Sequence, residues 1–384
     1  MENNKKLLKV ISITVIITSI VTFMATSSFF TYVLKAHSTT NLPGSEKLFE
    51  VMSILDNKYY QDIDKNQAIE KAVGAMVSSL GDPYTTYMNK EEWAEFNTYI
   101  TGTYSGVGLT VSGDKTDNKI VVISPFDGSP SDKAGIKAGD KIIKVNGEEV
   151  FADNIDTATS KMKGEKGTTV TLTVLKKDTK EVVDIVITRD EIKMQSVRSE
   201  MKGDIGYIRL SIFDTDTGNE FASHLEKMRN SGAKALIIDV RNNGGGVVGA
   251  VVQVAESLLK SDSMIFYTQD KHGKRQDFKT RGSGVDLPIV LLINEGSASA
   301  SEILAGSLRD NKKATLVGNK SFGKGVVQQP VSLKDGSVVK VTVEKYFTPI
   351  GEDINKQGIK PDVEVNLVSE KDEQLQKAIE ILNK

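Results

Sequence analysis

Serine and lysine are the residue types through which this sequence could do chemistry. Its 384 residues include no cysteine, and the histidines are His37, His224 and His272. The lack of cysteine excludes a thiol nucleophile, a disulfide framework and thiolate metal sites, and these histidines form no His-x-x-x-His pair for zinc. Catalysis would therefore depend on Ser, Lys, Asp, Glu or backbone amides, and neither a metal nor another cofactor is expected.

Ser299 is one candidate for a chemical role. It lies in a segment of small residues, 294–302, between a predicted strand at 289–293 and a predicted helix at 299–308. Ser299 and Glu302 fit a capping box, which favours a purely structural role. A serine at a strand-to-helix junction can also be a nucleophile, because the adjacent helix amides can stabilise an oxyanion. The residues alone leave both interpretations open.

Lys324 is the second candidate, in the glycine-rich segment 318–325. The segment nearly matches a phosphate-binding loop, but Gly325 stands where a Ser or Thr would hold Mg²⁺, so nucleotide binding is disfavoured. Gly323 and Gly325 allow the backbone to turn tightly around the lysine. A solvated loop lysine is the simpler interpretation.

Two further glycine-containing segments could bind anions or peptides. Gly244, Gly245 and Gly246 follow a predicted strand at 235–240. Their amides could form an anion-binding nest, although a flexible turn is the alternative. The other segment consists of Gly106, Val107, Gly108 and Leu109. Its amides could capture a peptide carboxylate while the peptide adds to the following strand, but the tetrapeptide alone is weak support.

The N-terminal region predicts a membrane anchor. Lysines within residues 1–9 precede an uncharged, mostly apolar stretch at 10–34, which is long enough to cross a bilayer as a helix. The basic cluster predicts a cytoplasmic N-terminus, with the rest of the chain outside the cytoplasm. A cleaved secretion signal is the alternative, since Ala25 to Ser27 are small residues at plausible cleavage positions.

The rest of the chain is predicted to be a multidomain α+β protein. Helical apolar spacing predicts a small helical domain at 45–99, and short alternating strands predict a β-rich module at 101–190. Alternating strands and helices predict an α/β core at 191–368, and residues 369–384 predict a terminal helix. The 49 Lys and Arg nearly balance the 51 Asp and Glu, which argues against nucleic acid as a partner.

The motifs, in this order along the chain, resemble those of the carboxyl-terminal processing (tail-specific) proteases. Residues 79–87 resemble the family's N-terminal signature, and residues 106–150 resemble a bacterial PDZ domain. Residues 294–303, 322–325 and 358–362 resemble the motifs of the protease core. Each motif is modest alone, but the ordered set is specific and covers nearly everything after the predicted anchor.

The resemblance implies a role for each candidate residue. Ser299 would be the nucleophile, Lys324 its general base, and Gln328 would orient the lysine. The backbone amides of Gly245 and Ala300 would form the oxyanion hole. A Ser–Lys pair is a known variant of the catalytic triad, and it needs no histidine.

The resemblance also implies a crotonase-like α/β core and a PDZ domain that captures apolar protein C-termini through Gly106, Val107, Gly108 and Leu109. Homodimers or higher oligomers are expected. One departure is Lys163, where family members often carry an arginine linked to substrate sensing. A lysine keeps the charge but lacks the bidentate fork. A non-catalytic PDZ adaptor and an enoyl-hydratase-like enzyme are the alternative functions.

Overall fold

The computed structural model describes residues 44–114, 116–126, 128–367 and 371–383. The chain divides into two units, Met1–Ala75 and Met76–Lys384. The described part of the first unit contains helix α1 (Ser45–Lys58) and most of helix α2 (Lys65–Ser78). No helix within the described ranges is long and apolar enough to cross a membrane, and the anchor predicted at 10–34 lies outside them.

The second unit begins with a short connecting region. It contains β1 (Thr86–Met88), α3 (Lys90–Thr101) and β2 (Thr103–Gly106). Helix α3 begins with a capping box between Asn89 and Glu92, which satisfies amides of its first turn.

A β-rich module follows, as the alternating strands predict. Its sheet has the order β3-β4-β5-β7-β8, with β6 paired to β5 and all neighbours antiparallel. The strands are β3 (Leu109–Asp114), β4 (Lys119–Pro125), β5 (Lys141–Val145), β6 (Glu148–Glu149), β7 (Thr169–Leu175) and β8 (Val182–Thr188). The helices are α4 (Pro130–Lys133) and α5 (Ile155–Met162), the latter preceded by a 3₁₀ turn at Ala152–Asn154. A separate core fills the module, and β9 (Asp190–Lys193) pairs with β2 as the chain leaves it.

The C-terminal part is built around a six-stranded sheet of order β10-β11-β12-β15-β16-β19. The strands are β10 (Val197–Lys202), β11 (Ile205–Leu210), β12 (Ala235–Asp239), β15 (Ile289–Ile293), β16 (Ala314–Gly318) and β19 (Val363–Glu364). All neighbours are parallel except β10 and β11. Every residue of β12 and β15 is buried, as expected for central strands covered by helices on both faces. The helices are α6 (Thr217–Asn230), α7 (Val248–Leu258), α8 (Ala300–Asp310) and α9 (Glu373–Leu382).

A second sheet lies beside this core, and the sequence predicts only one of its strands. Its order is β1-β18-β13-β14, with β17 also paired to β18. The strands besides β1 are β13 (Met264–Asp270), β14 (Arg275–Lys279), β17 (Val326–Ser332) and β18 (Val338–Phe347). The alternating residues at 338–347 predict β18 from the sequence, whereas β13, β14 and β17 are not predicted. The sequence also predicts only helix around β1, which pairs with β18 through Thr86 and Lys340.

Candidate active site

Ser299 lies at the turn between β15 and α8, as the sequence predicts. Its φ of 54° and ψ of −113° lie outside the regions that most side chains adopt. Such strain persists only where the surrounding structure holds it, and it concentrates at functional sites. The Ser299 side chain is half-exposed, so its hydroxyl is accessible.

The neighbouring serines have structural roles instead. Ser297 and Ser301 are fully buried. The Ser297 hydroxyl donates to the Val240 carbonyl at 2.8 Å, and the Ser301 hydroxyl donates to the Asn243 carbonyl at 2.8 Å. These bonds join the turn to the segment that follows β12, and they leave Ser299 as the accessible serine of the turn.

A buried carboxylate joins the Ser299 turn to the Lys324 loop. Glu302 is 1% exposed and accepts hydrogen bonds from the amides of Ser299 (2.9 Å), Gly323 (2.7 Å) and Lys324 (2.9 Å), and from the Ser321 hydroxyl (2.6 Å). The capping interaction that the sequence predicts for Glu302 is therefore one part of a larger network. Hydrogen bonds to a charged acceptor are stronger than neutral ones, so the carboxylate fixes both loops.

Tyr346 of β18 also links the same two loops. Its hydroxyl donates to the Ser299 carbonyl at 3.1 Å and also bonds the Lys324 carbonyl. Burial raises the pKa of Tyr346 well above 10, so the hydroxyl keeps the proton that it donates.

Lys324 is half-buried, and its Nζ atom lies 4.9 Å from the centroid of the Tyr84 ring. Burial lowers the pKa of Lys324 below its usual value of 10.5, and the positive charge of Lys340 lowers it further. The carboxylates of Glu302 and Asp82 act in the opposite direction. The net effect favours the neutral amine, which is the form that can accept a proton.

Ser299, Lys324 and Gln328 line one cavity of about 600 Å³. Apolar side chains form much of its wall: Phe96, Ile100, Val247, Val248, Ile303, Val326, Val327 and Val343. The Gln328 Nε2 atom donates to Thr342 Oγ1 at 3.3 Å, so the predicted orienting residue lines the cavity but bonds to a neighbouring strand. All three predicted side chains thus line the same largely apolar cavity.

The two predicted oxyanion donors lie against each other. The Ala300 amide is in the first turn of α8, where no acceptor exists within the helix. Gly245 has φ 99°, and a Cβ atom there would lie 2.7 Å from the Ala298 carbonyl oxygen and 2.9 Å from the Ala300 nitrogen. Only glycine fits so close to the turn. In this structure the Gly245 amide donates to Asn243 Oδ1 at 2.9 Å.

A second cavity, of about 500 Å³, lies beside β3 and α5. Val107 and Leu109 line it, together with Val111, Phe126 and Met162. Gly106 lies in β2, paired with Asp190, and Gly108 has φ 77° and packs against Ser129. Strand β3 pairs with β4 on one side only within the described residues, so its other edge is available for strand addition.

Helix α3 contributes to both cavities. Glu95 and Thr98 line the cavity beside β3, whereas Phe96 and Ile100 line the cavity that contains Ser299. Lys163 also lines the cavity beside β3, and its Nζ atom lies 5.7 Å from the centroid of the Tyr104 ring. The role of α3 as a common wall is not predicted by the sequence.

The sequence also does not predict the network around Glu302, Tyr346 and Lys340. Glu302 carries one available signal, since its capping position ties it to the Ser299 turn. Tyr346 and Lys340 are far from both loops in sequence and reach the site only through the pairing of β18.

The comparisons with known proteins agree with this fold. Residues 204–365 match the model of peptidase family S41, residues 106–187 match a PDZ domain, and residues 26–92 match the N-terminal domain of the activating protease CtpB. The fold and these matches thus define a serine-type peptidase with a PDZ domain.

Known relatives extend the match over most of the chain. The carboxy-terminal processing protease CtpA of Bacillus subtilis is 35% identical over 369 residues, covering 96% of this chain and 78% of the relative. CtpB of the same organism is 34% identical, covering 83% and 67%. The solved photosystem II D1 C-terminal processing protease is 30% identical, with a TM-score of 0.52 over 88% of this chain and 91% of that protein. This chain therefore belongs to the carboxy-terminal processing proteases of family S41, which confirms the resemblance.

Proposed function

We propose that this protein is a membrane-anchored serine endopeptidase that selects substrates by their apolar C-termini and cleaves them with a Ser299–Lys324 dyad. The observation that carries the proposal is that Ser299 and a lysine with a lowered pKa line one cavity, while their backbones bond the same buried carboxylate. This arrangement supplies a nucleophile and a base in fixed loops without histidine.

The reaction proceeds by acyl transfer. The neutral Lys324 amine accepts the Ser299 proton as the serine oxygen attacks the substrate carbonyl carbon. The Ala300 amide donates a hydrogen bond to the oxyanion. The Gly245 amide gives up its bond to Asn243 and donates a second hydrogen bond to the oxyanion. The Lys324 ammonium then protonates the leaving amine, and a water molecule, deprotonated by the same lysine, hydrolyses the acyl-enzyme. Gln328 orients the lysine during these transfers.

The second cavity forms a groove beside β3, and this groove selects the substrate. A peptide C-terminus adds as a strand to the free edge of β3, its carboxylate meets the amides of Gly106 to Leu109, and its apolar side chain enters the pocket. The largely apolar lining by Val107, Leu109 and Met162 supports preference for apolar C-termini.

Localisation and assembly rest on the sequence and the family. The basic residues before the apolar stretch at 10–34 support a single-pass anchor with the peptidase outside the cytoplasm. A cleaved signal is the alternative. Homodimers or higher oligomers are proposed from the family resemblance.

The test is degradation of an unfolded protein with an apolar C-terminus by the full chain in detergent. Ser299→Ala and Lys324→Ala should each lower kcat by about 10⁴-fold or more, since nucleophile and base act as a unit. The parent rate should rise with pH as Lys324 loses its proton, with a pKa below 10.5.

Matched control variants distinguish the effect of changing the proposed site from the effect of changing any exposed serine or lysine. Ser332→Ala and Lys320→Ala alter exposed residues, at the end of β17 and in the segment 318–325, and should retain the parent rate. Retained cleavage in Ser299→Ala would overturn the assignment of the nucleophile. No cleavage by the parent, with binding of the C-terminal peptide, would favour a non-catalytic PDZ adaptor.

A further inference from the structure

A second lysine side chain reaches the catalytic cavity from β18. Lys340 is half-buried and lines the same cavity as Ser299 and Lys324. Its Nζ atom lies 4.4 Å from the centroid of the Phe96 ring. Burial lowers the pKa of Lys340 below its usual value, and the Phe96 ring opposes this effect because the face of an aromatic ring attracts a cation.

Lys340 differs in its partners from Lys345, the other lysine of its strand. Lys345 forms an ion pair with Asp353 at 3.1 Å, on the exposed surface. In the part of the chain that the structure describes, no carboxylate forms such a pair with Lys340. A half-buried ammonium without a carboxylate partner exerts its field on the groups that share its cavity, because burial reduces screening by water.

The other charged groups near Lys324 favour its protonated form. They are Glu302 from α8 and Asp82 from the segment before β1, and the ring of Tyr84 also attracts a cation. Glu344 of β18 lines the cavity as well. The Glu302 oxygens accept the hydrogen bonds that join the two loops. Asp82 accepts from the Tyr84 amide at 3.1 Å and the Thr85 hydroxyl at 2.6 Å.

We propose that Lys340 is a positioning residue that keeps a positive charge in the catalytic cavity and thereby favours the neutral, proton-accepting form of Lys324. This inference rests on the proposed function of Lys324 as the general base. It explains why a lysine is held over Phe96 without a carboxylate partner. Lys324 and Lys340 line one cavity, where like charges disfavour each other, and a lysine near another cation is a known way to obtain a neutral amine. Burial and the Lys340 charge both lower the pKa of Lys324, in agreement with this role.

The test is the pH dependence of kcat/KM for a peptide substrate, measured with the full chain and with Lys340→Met and Lys340→Arg. Lys340→Met removes the charge and keeps most of the side-chain volume. We expect the rising limb to shift upward by about one pH unit, a loss of about tenfold below the pKa, with rates that converge with the parent at high pH. Lys340→Arg retains the charge and should keep the parent profile.

The matched control is Lys345→Met, which removes a positive charge from the same strand outside the cavity and should leave the profile unchanged. A loss of kcat/KM in Lys340→Met that is equal at every pH would show a structural role and overturn the proposal. An unchanged pH profile in Lys340→Met would also overturn it. A raised KM confined to peptides with a free C-terminal carboxylate would instead assign Lys340 to substrate binding and would also overturn it. Activity that survives in Lys324→Ala would refute the proposed function itself, so the two failures are distinguishable.

Discussion

The proposed catalytic cavity and the proposed peptide groove beside β3 have similar volumes, about 600 and 500 Å³, but they are built differently. Glu302 and Tyr346 bond both loops that carry Ser299 and Lys324, which fixes the catalytic cavity from two sides. The groove has one wall that is an unpaired strand edge within the described residues. Internal hydrogen bonds fix the loops of one cavity, whereas the other cavity leaves backbone groups available to a ligand.

This difference matches two tasks. Catalysis requires donors and acceptors that are already oriented when the reaction begins, because reorganisation would cost activation free energy. Recognition of many different C-termini requires backbone bonds that any sequence can make, with selectivity from one pocket. Substitutions in the two regions should therefore affect different kinetic constants.

Among the three substitutions that compare the two cavities, the largest effect is expected from Gly245→Ala. The new Cβ atom would lie 2.7 Å from the Ala298 carbonyl oxygen, at a φ of 99° that alanine rarely adopts. Displacing the loop should remove one oxyanion donor and lower kcat by about 10²- to 10³-fold, with little change in C-terminal peptide binding. Steady-state kinetics and a peptide-binding titration would measure both.

Gly232→Ala is the matched control for backbone strain. Gly232 has φ 85°, but no atom outside its immediate neighbours lies within 4 Å of the position that an alanine methyl group would take. The substitution should lower stability slightly and retain kcat. A Gly245→Ala enzyme with parental kcat would contradict the tight packing described for the catalytic cavity.

A smaller effect, on stability, is expected from Glu302→Gln. The amide group of glutamine would present N–H donors to the N–H groups that now donate to the carboxylate, so buried donors would lose their acceptor. The free energy of unfolding should fall by about 3 kcal/mol, as measured by chemical denaturation. The exposed Glu295→Gln in the same turn should change it little. Equal stability of both variants would show that the carboxylate does not fix the two loops.

The smallest of the three effects is expected from Leu109→Ser in the groove. Loss of an apolar wall should weaken binding of a peptide with an apolar C-terminus by about tenfold, because roughly 1.4 kcal/mol of apolar contact is removed. The kcat should stay at the parent value. Ile123→Ser, at an exposed position of β4, is the control. A loss of kcat without a loss of binding would reverse the assignment of tasks to the two cavities.

The sequence predicts the parts of this protein that depend on local pattern. Apolar runs at β12 and β15 and glycines around Lys324 are visible in the chain itself, and the ordered motifs indicate the family and candidate residues. Most of the sheet that contains β18 is not predicted, for physical reasons. Pro330 argues against a central strand, and the structure places it at an edge, paired with Lys340. Strands β13 and β14 mix polar and apolar residues without the continuous apolar character of β12.

The same limit applies to the candidate site. Ser299 and Lys324 carry local signals, but the contacts of Lys340 with Phe96 and of Tyr346 with both loops join residues distant in the chain. Such contacts arise from strand pairing and packing, which composition and spacing do not encode. The bond between the Gly245 amide and Asn243, which the proposed oxyanion would have to replace, is likewise visible only once the loop is folded.

Helix α3 has a consequence for how this protein could be re-engineered. A designer could replace the module at 101–190 to change which substrates are selected. Glu95 and Thr98 would then remain from the original protein, and they would line a new groove to which their side chains are not matched. Replacing α3 as well would exchange Phe96 and Ile100 and alter the catalytic cavity. The two modules are therefore not interchangeable parts, and a successful chimera would need a helix whose opposite faces are chosen separately, one for each neighbour.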